Sequence, residues 1–252
     1  CSVSPRLCRA ASVPGTVLSL ASASSPAAGV PAIVKPASAT SYLTEAAMRL
    51  IVQSGILPEG SLQLVIGGTG DLLDRLNGAD VVTFTGSAST GQKLKSHPVI
   101  IRNSVRFTME ADSLNCSILG PDAVPGTPEF DLYIKEVVKE MTTKCGQKCT
   151  AIRRAFVPRA QLDAVSEALK ARLAKVVVGD PSVEGVTMGA LASLGQRDEV
   201  RKAVAKLRTV ADLVSGDPEA FKVTGGDADK GAFLAPILLR CNDPHGSAVV
   251  HE

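Results

Sequence analysis

Between residues 29 and 110, short apolar runs alternate with helix-like stretches, and this alternation constrains the fold more than any other feature of the chain. Val30 to Val34 is an apolar run ending at Lys35-Pro36. Ser41 to Ser54 places Leu43, Ala46, Ala47, Leu50, Ile51 and Ser54 on one helical face, with Gly55 positioned to end the helix. Leu62 to Ile66 predicts a second strand, followed by Gly67-Gly68-Thr69-Gly70 and a short helix over Leu72 to Leu76. Val81 to Thr85 predicts a third strand, Thr90 to Leu94 the start of another helix, and Val105 to Met109 a fourth strand ending at Glu110. Strand and helix alternating at this spacing imply βαβ units on a parallel sheet. Such sheets bind ligands beyond the carboxyl ends of their strands. Lys35, Gly67, Gly86-Ser87 and Glu110 all fall at such ends and are expected on one rim.

The second half is richer in helix. The pattern predicts helices over Phe130 to Thr142, Gln161 to Lys175 and Gln196 to Leu213. It predicts strands over Arg154 to Val157 and over Phe233 to Leu239, the latter interrupted by Pro236. Residues 1–28 differ in texture. They are rich in Ser, Ala and Pro, without hydrophobic period, and are expected to be an atypical leader outside the native fold.

Composition removes several classes of function. The net charge of +2 gives no electrostatic footprint for nucleic acid, and with no Trp, two Tyr and six Phe there is little for bases to stack on. No run of eighteen or more apolar residues is present to span a bilayer. The rest reads as an intracellular, cytoplasmic enzyme whose thiols stay reduced.

Six cysteines are scattered through the chain: Cys1, Cys8, Cys116, Cys145, Cys149 and Cys241. The segment Lys144-Cys145-Gly146-Gln147-Lys148-Cys149 puts Cys149 in a polar turn just before the run Ala155-Phe156-Val157. A thiol in that setting is offered to a substrate carbonyl, a metal or another thiol. Zinc needs about four ligands at suitable spacing, and His97, His245 and His251 form no pair, so no metal is expected. Thiolates attack carbonyls, and nearby cations favour the thiolate. Lys144, Lys148, Arg153 and Arg154 surround Cys149 in sequence. Cys145 is the rival nucleophile, and Cys116 and Cys241 read as buried, inert cysteines.

Two further elements carry chemistry. Glu110 follows an apolar strand, where partial desolvation fits a carboxylate for base work; an ordinary solvated or ion-paired Glu fits the sequence as well. Gly86-Ser87-Ala88-Ser89-Thr90-Gly91 lets a phosphate approach backbone N–H groups and a helix N-terminus. A plain strand-to-helix turn is equally rich in Gly and Ser, and no G-x-G-x-x-G is present.

Phe84-Thr85-Gly86-Ser87, then Glu110, then Gly146-Gln147-Lys148-Cys149 with Arg153 or Arg154 after it, resembles the aldehyde dehydrogenase superfamily. Lys35-Pro36-Ala37-Ser38, Val178-Gly179-Asp180-Pro181, Met188-Gly189-Ala190-Leu191 and Gly231 to Leu238 resemble further family segments, in the family's order. The resemblance runs from about residue 27 to the end. The stretch Phe107 to Cys116, which replaces the commoner Glu-Leu-Gly-Gly-Lys, and Met141 to Lys144 are similar to a branch that oxidises CoA-linked semialdehydes in phenylacetate catabolism.

The resemblance implies an α/β, aldehyde dehydrogenase-like fold. It comprises a parallel, Rossmann-type cofactor domain, incomplete, over 29–115 and an α/β catalytic thiol domain, truncated, over 116–252. By matching position, Cys149 is the implied nucleophile and Glu110 the base that activates water. Lys35 is implied at the adenosine ribose, with Gly86 and Ser87 at the pyrophosphate. Ser38 stands where many NAD-preferring relatives carry Glu, whose charge repels a 2′-phosphate; NADP is the implied cofactor, with NAD as the alternative. The implied partners are a small aldehyde, CoA-linked in this branch, and further copies of the chain in a homo-oligomer when intact. A CoA-acylating dehydrogenase and an inactive nucleotide-binding fragment are the alternatives. The family's Asn-Phe-Pro segment, whose amide serves the oxyanion hole, is replaced by Ser12-Val13-Pro14. Loss of such a donor typically costs a factor of ~10²–10³ in rate. The chain also stops at His251-Glu252, before the family's Glu-x-Phe-Gly-Pro segment, so weak activity or none is expected of the isolated 252 residues.

Overall fold

The computed structural model describes residues 8–11, 26 and 29–241. The chain divides into two compact units, Cys1–Asp112 and Ser113–Glu252.

In chain order, the first unit contains β1 (Cys8–Ala11), β2 (Ala32–Lys35), α1 (Ser41–Ser54), β3 (Leu62–Leu64), β4 (Val81–Gly86), α2 (Ala88–Lys95), α3 (Pro98–Arg102) and β5 (Arg106–Ala111). The five strands form one all-parallel sheet in the order β3-β2-β1-β4-β5. Strand order reverses direction beside β1, and such a reversal opens a crevice at the carboxyl ends of the strands. Sequence reading places no strand before Val30, yet β1 is the middle of the sheet, with Ala11 level with Lys35 on one side and Phe84 on the other.

Within this unit Leu73, Leu76, Val82, Val99, Ile100 and Val105 form one buried cluster. Burying each side chain contributes roughly 2 kcal/mol. Helix α2 lies close against β4 and β5 because Gly91 has no side chain. A Cβ there would run into the Met109 sulfur and sit 3.1 Å from the Phe84 ring.

Two expectations need correction here. Leu72 to Leu76 is a run of turns, closed by i→i+3 bonds such as Leu76 N–H to Leu73 O, rather than a helix. The boundaries of α1 match the sequence reading, and Gly55 ends it in the left-handed region at φ 65°. Its buried face does not match. Thr44 and Met48 are buried, whereas Leu43 and Leu50 are exposed. The stripe that is buried is therefore not the most apolar one of the helix.

In chain order, the second unit contains β6 (Cys116–Ile118), α4 (Pro128–Thr142), β7 (Arg154–Phe156), α5 (Leu162–Leu173), α6 (Leu194–Leu207), β8 (Ala211–Ser215) and β9 (Leu238–Cys241). Strands β6 and β7 pair in parallel, and β8 and β9 pair antiparallel with a bulge between Leu213 and Ser215. Helix α4 starts well: the Thr127 hydroxyl accepts from Phe130 N–H, Pro128 opens the first turn, and Glu129 and Asp131 favour the positive end. It packs Phe130, Tyr133, Ile134 and Val137 against Val165 and Leu169 of α5. Separate small clusters gather Val178, Met188 and Phe233, and Leu191, Ala232 and Leu234.

Helix α6 is shorter than the expected 196–213. It stops at Leu207, where the Thr209 hydroxyl donates to Lys206 O, and the chain then turns into β8. The late strand begins at Leu238 rather than Phe233, and Phe233 and Leu234 are buried without strand pairing. Cys116 and Cys241 are exposed rather than buried. In β6, exposure alternates so that Cys116 and Ile118 share the open face of a two-stranded sheet.

Candidate active site

Because the strands of the first unit are parallel, Lys35, Gly86 and Glu110 lie at the same edge of the sheet: Lys35 ends β2, Gly86 ends β4, and Glu110 is the penultimate residue of β5. Lys35 is half-buried and its Nζ donates to Pro36 O at 2.9 Å. Ser38 is exposed and opens a 3-10 turn to Thr40, its carbonyl accepting from the Ser41 hydroxyl at 2.9 Å. Gly86 pairs with Ala111. Ser87 caps α2: its Oγ accepts from Thr90 N–H at 3.3 Å and donates to Thr90 Oγ1 at 2.9 Å. Glu110 is exposed.

One resident of this edge was not read from sequence. Asp112 turns back through the left-handed region, φ 51°, and its carboxylate accepts from Ala88 N–H at 3.0 Å. Its own N–H donates to Gly86 O. The start of α2 therefore carries a hydroxyl and a carboxylate of the chain itself. A polar residue directly after a strand was the only signal for Asp112.

In the second unit, Lys144, Cys145 and Gly146 occupy the left-handed region in succession, at φ 52°, 56° and 70°. The reversal separates the two thiols. Cys145 turns inward and is half-buried, with its Sγ donating to Gly189 O at 3.1 Å and Ala190 O at 3.2 Å. Burial pushes its pKa up, so it is held as a neutral thiol. Cys149 sits exposed in the following turn, and among the described residues its Sγ has no hydrogen-bond partner.

The turn around Cys149 is fixed from outside. Gln147 Nε2 donates to Gln196 Oε1, and Gln147 Oε1 accepts from Ala192 N–H at 3.1 Å. Lys148, the cation nearest Cys149 in sequence, is bound to Glu140 at 2.6 Å, with the side chains 19% and 18% exposed. The Cys149 carbonyl accepts from Ser113 Oγ at 2.8 Å and from Asn115 Nδ2 at 2.5 Å. None of Ser113, Asn115 or Gln196 was legible as a neighbour of this turn, because each bonds to it across 34 to 49 residues of sequence. Lys35, Ser38, Gly86, Ser87 and Glu110 belong to the first unit, and Cys149 to the second. Ser12-Val13-Pro14 and His251-Glu252 lie outside the described residues. Among the described residues no three His, Cys, Asp or Glu side chains gather as metal ligands, and no helix is long and apolar enough to cross a membrane.

A parallel sheet in 3-2-1-4-5 order, followed by a second unit of paired strands and helices, defines an α/β protein. Residues 13–252 match the aldehyde dehydrogenase family, and the chain belongs to that family. It is 46% identical over 225 residues to the 3,4-dehydroadipyl-CoA semialdehyde dehydrogenase of Aromatoleum evansii, covering 89% of this chain and 44% of that protein. It is 31% identical over 225 residues to a betaine aldehyde dehydrogenase of Vibrio vulnificus, covering 87% of this chain and 44% of the relative. The solved structure of betaine aldehyde dehydrogenase from Staphylococcus aureus in complex with NAD+ superposes with a TM-score of 0.80 at 20% identity, over 98% of this chain and 48% of that one. The chain thus spans less than half the length of the relatives it matches. The expected α/β, aldehyde dehydrogenase-like fold is the fold observed.

Proposed function

We propose that this chain is the cofactor-edge and thiol portion of an NADP-dependent dehydrogenase that oxidises a CoA-linked semialdehyde to the acid. The observation that carries the reading is Cys149: an exposed thiol on a turn braced at several points, in a chain 46% identical to a CoA-semialdehyde dehydrogenase. In this reading residues 29–115 hold the cofactor and residues 116–252 carry the thiol. The protein acts in the cytoplasm as a homo-oligomer.

The residues of the first unit fit a phosphorylated dinucleotide. Lys35 brings a cation to the ribose, and Ser38 offers a hydroxyl without the negative charge that would repel a 2′-phosphate. Gly86 admits close approach to the backbone, and Ser87 supplies a hydroxyl beside the pyrophosphate. When bound, NADP accepts the hydride that the aldehyde carbon gives up. NAD is the alternative cofactor.

Cys149 performs the covalent chemistry. Its thiolate forms a C–S bond to the aldehyde carbon, giving a thiohemiacetal; loss of hydride leaves an acyl thioester on the sulfur. Glu110 then takes a proton from water, the oxygen bonds to the acyl carbon, and the C–S bond breaks to release the carboxylic acid and restore the thiol. Cys145, protonated and turned toward two carbonyls, takes no part.

The test is turnover of a CoA-linked semialdehyde with NADP by the intact protein. Cys149→Ala should abolish NADPH formation, at least a thousandfold, while cofactor affinity stays within about twofold. Retained turnover in Cys149→Ala would remove the assignment. Glu110→Gln should allow one stoichiometric burst of NADPH and then slow thioester release.

A further inference from the structure

We infer that Asn115 and Ser113 are positioning residues that set the Cys149 thiol for attack; the inference rests on the reading of Cys149 as nucleophile. The Asn115 side-chain amide donates to Cys149 O at 2.5 Å and to Ala151 O at 3.2 Å. Both partners are carbonyls, so the NH₂ end must face them. The backbone carbonyl of the same residue accepts from Arg153 N–H at 2.9 Å and Arg154 N–H at 3.2 Å. Asn115 thus holds the chain at four points from Cys149 to Arg154. Ser113 Oγ adds a second donor to Cys149 O at 2.8 Å.

Two donors on one carbonyl fix the plane of the Cys149–Thr150 peptide, and with it the backbone torsion that aims the thiol. The turn makes few backbone bonds of its own across this point: Lys148 N–H reaches Gly146 O and Ala151 N–H reaches Lys148 O. Without the clamp, the exposed turn has alternatives at little energetic cost. A nucleophile misplaced by ~1 Å loses about a hundredfold in rate. The clamp also gives a use to the run Glu110-Ala111-Asp112-Ser113-Leu114. The commoner Glu-Leu-Gly-Gly-Lys would place at Ser113 a residue with no hydroxyl to donate.

The test compares Asn115→Ala, Ser113→Ala and Ser113→Thr in the intact protein. Amide hydrogen exchange over residues 144–152 should quicken about tenfold in Asn115→Ala, as two hydrogen bonds are lost. Its kcat should fall tenfold or more, with KM within about twofold. Ser113→Ala should lose about fivefold in kcat, and Ser113→Thr, which keeps the hydroxyl, should match the unaltered protein. Unchanged exchange in Asn115→Ala overturns the clamp. Faster exchange with kcat intact overturns its catalytic purpose, and equal loss in Ser113→Thr and Ser113→Ala overturns the part given to the hydroxyl. Turnover that survives Cys149→Ala would sink the nucleophile reading and the positioning purpose with it, a result distinct from the exchange outcome.

Discussion

The turn that opens α2 and the turn that carries Cys149 are both short, polar and glycine-containing, yet they are held in opposite ways. At the first, Ser87 bonds to Thr90 three residues away and to Ser89 two residues away, while Asp112 reaches it from afar, its carboxylate accepting from Ala88 N–H and its own N–H donating to Gly86 O. At the second, the bonds come from Ser113 and Asn115, 36 and 34 residues earlier, and from Gln196, 49 residues later. A turn built from local bonds forms wherever its sequence stands. A turn built from distant bonds exists only after its unit has assembled. Under the proposed function the difference bears most on the second turn, because a nucleophile misplaced by ~1 Å loses about a hundredfold in rate.

Four substitutions or conditions test the contrast, from the largest effect on stability to the smallest. Lys148→Met leaves Glu140 charged and mostly buried, with its Oε2 already lacking a hydrogen-bond partner among the described residues. Denaturant unfolding should show a loss of about 2–3 kcal/mol in the second unit. Gly146→Ala puts a Cβ at φ 70° and 3.2 Å from Met141 O. It should cost about 1–2 kcal/mol by the same measurement, and Cys149 reactivity should fall with it. Ser87→Ala removes the cap of α2 and should cost about 1 kcal/mol, with exchange rates altered in the first unit alone. A change that spread to residues 144–152 would break the distinction drawn above.

The smallest effect is that of pH on Cys145. Burial raises its folded pKa above the unfolded value, so its contribution is whole below the ordinary thiol pKa, about 8.5, and is lost as pH rises through the raised value. Melting temperature should therefore fall at alkaline pH, and Cys145→Ala should make that fall shallower.

The same distinction explains what could be read from the chain. The ends of α1 were legible because Gly55 acts on its immediate neighbours. The strands β2, β4 and β5 were legible from apolar runs, and Cys149 from its polar turn. The buried stripe of α1, the early end of α6 and the exposure of Cys116 depend on which partner each element meets, and no local signal carries that. The family order of motifs pointed to Cys149 and Glu110, while Asn115 looked like any other polar residue beside a strand. Its meaning comes from a carbonyl 34 positions away.

The position of β1 has a consequence for synthesis. It is made before β2 and β4, yet it lies between them in the sheet. As the chain leaves the ribosome, β2 can join it early, but its other edge must wait until Gly86 has been made. Parallel pairing over such separations is slow, and an open strand edge invites the wrong neighbour. The nascent first unit is therefore most exposed to misassembly in the interval before β4 emerges, and a holding chaperone would have its greatest effect there.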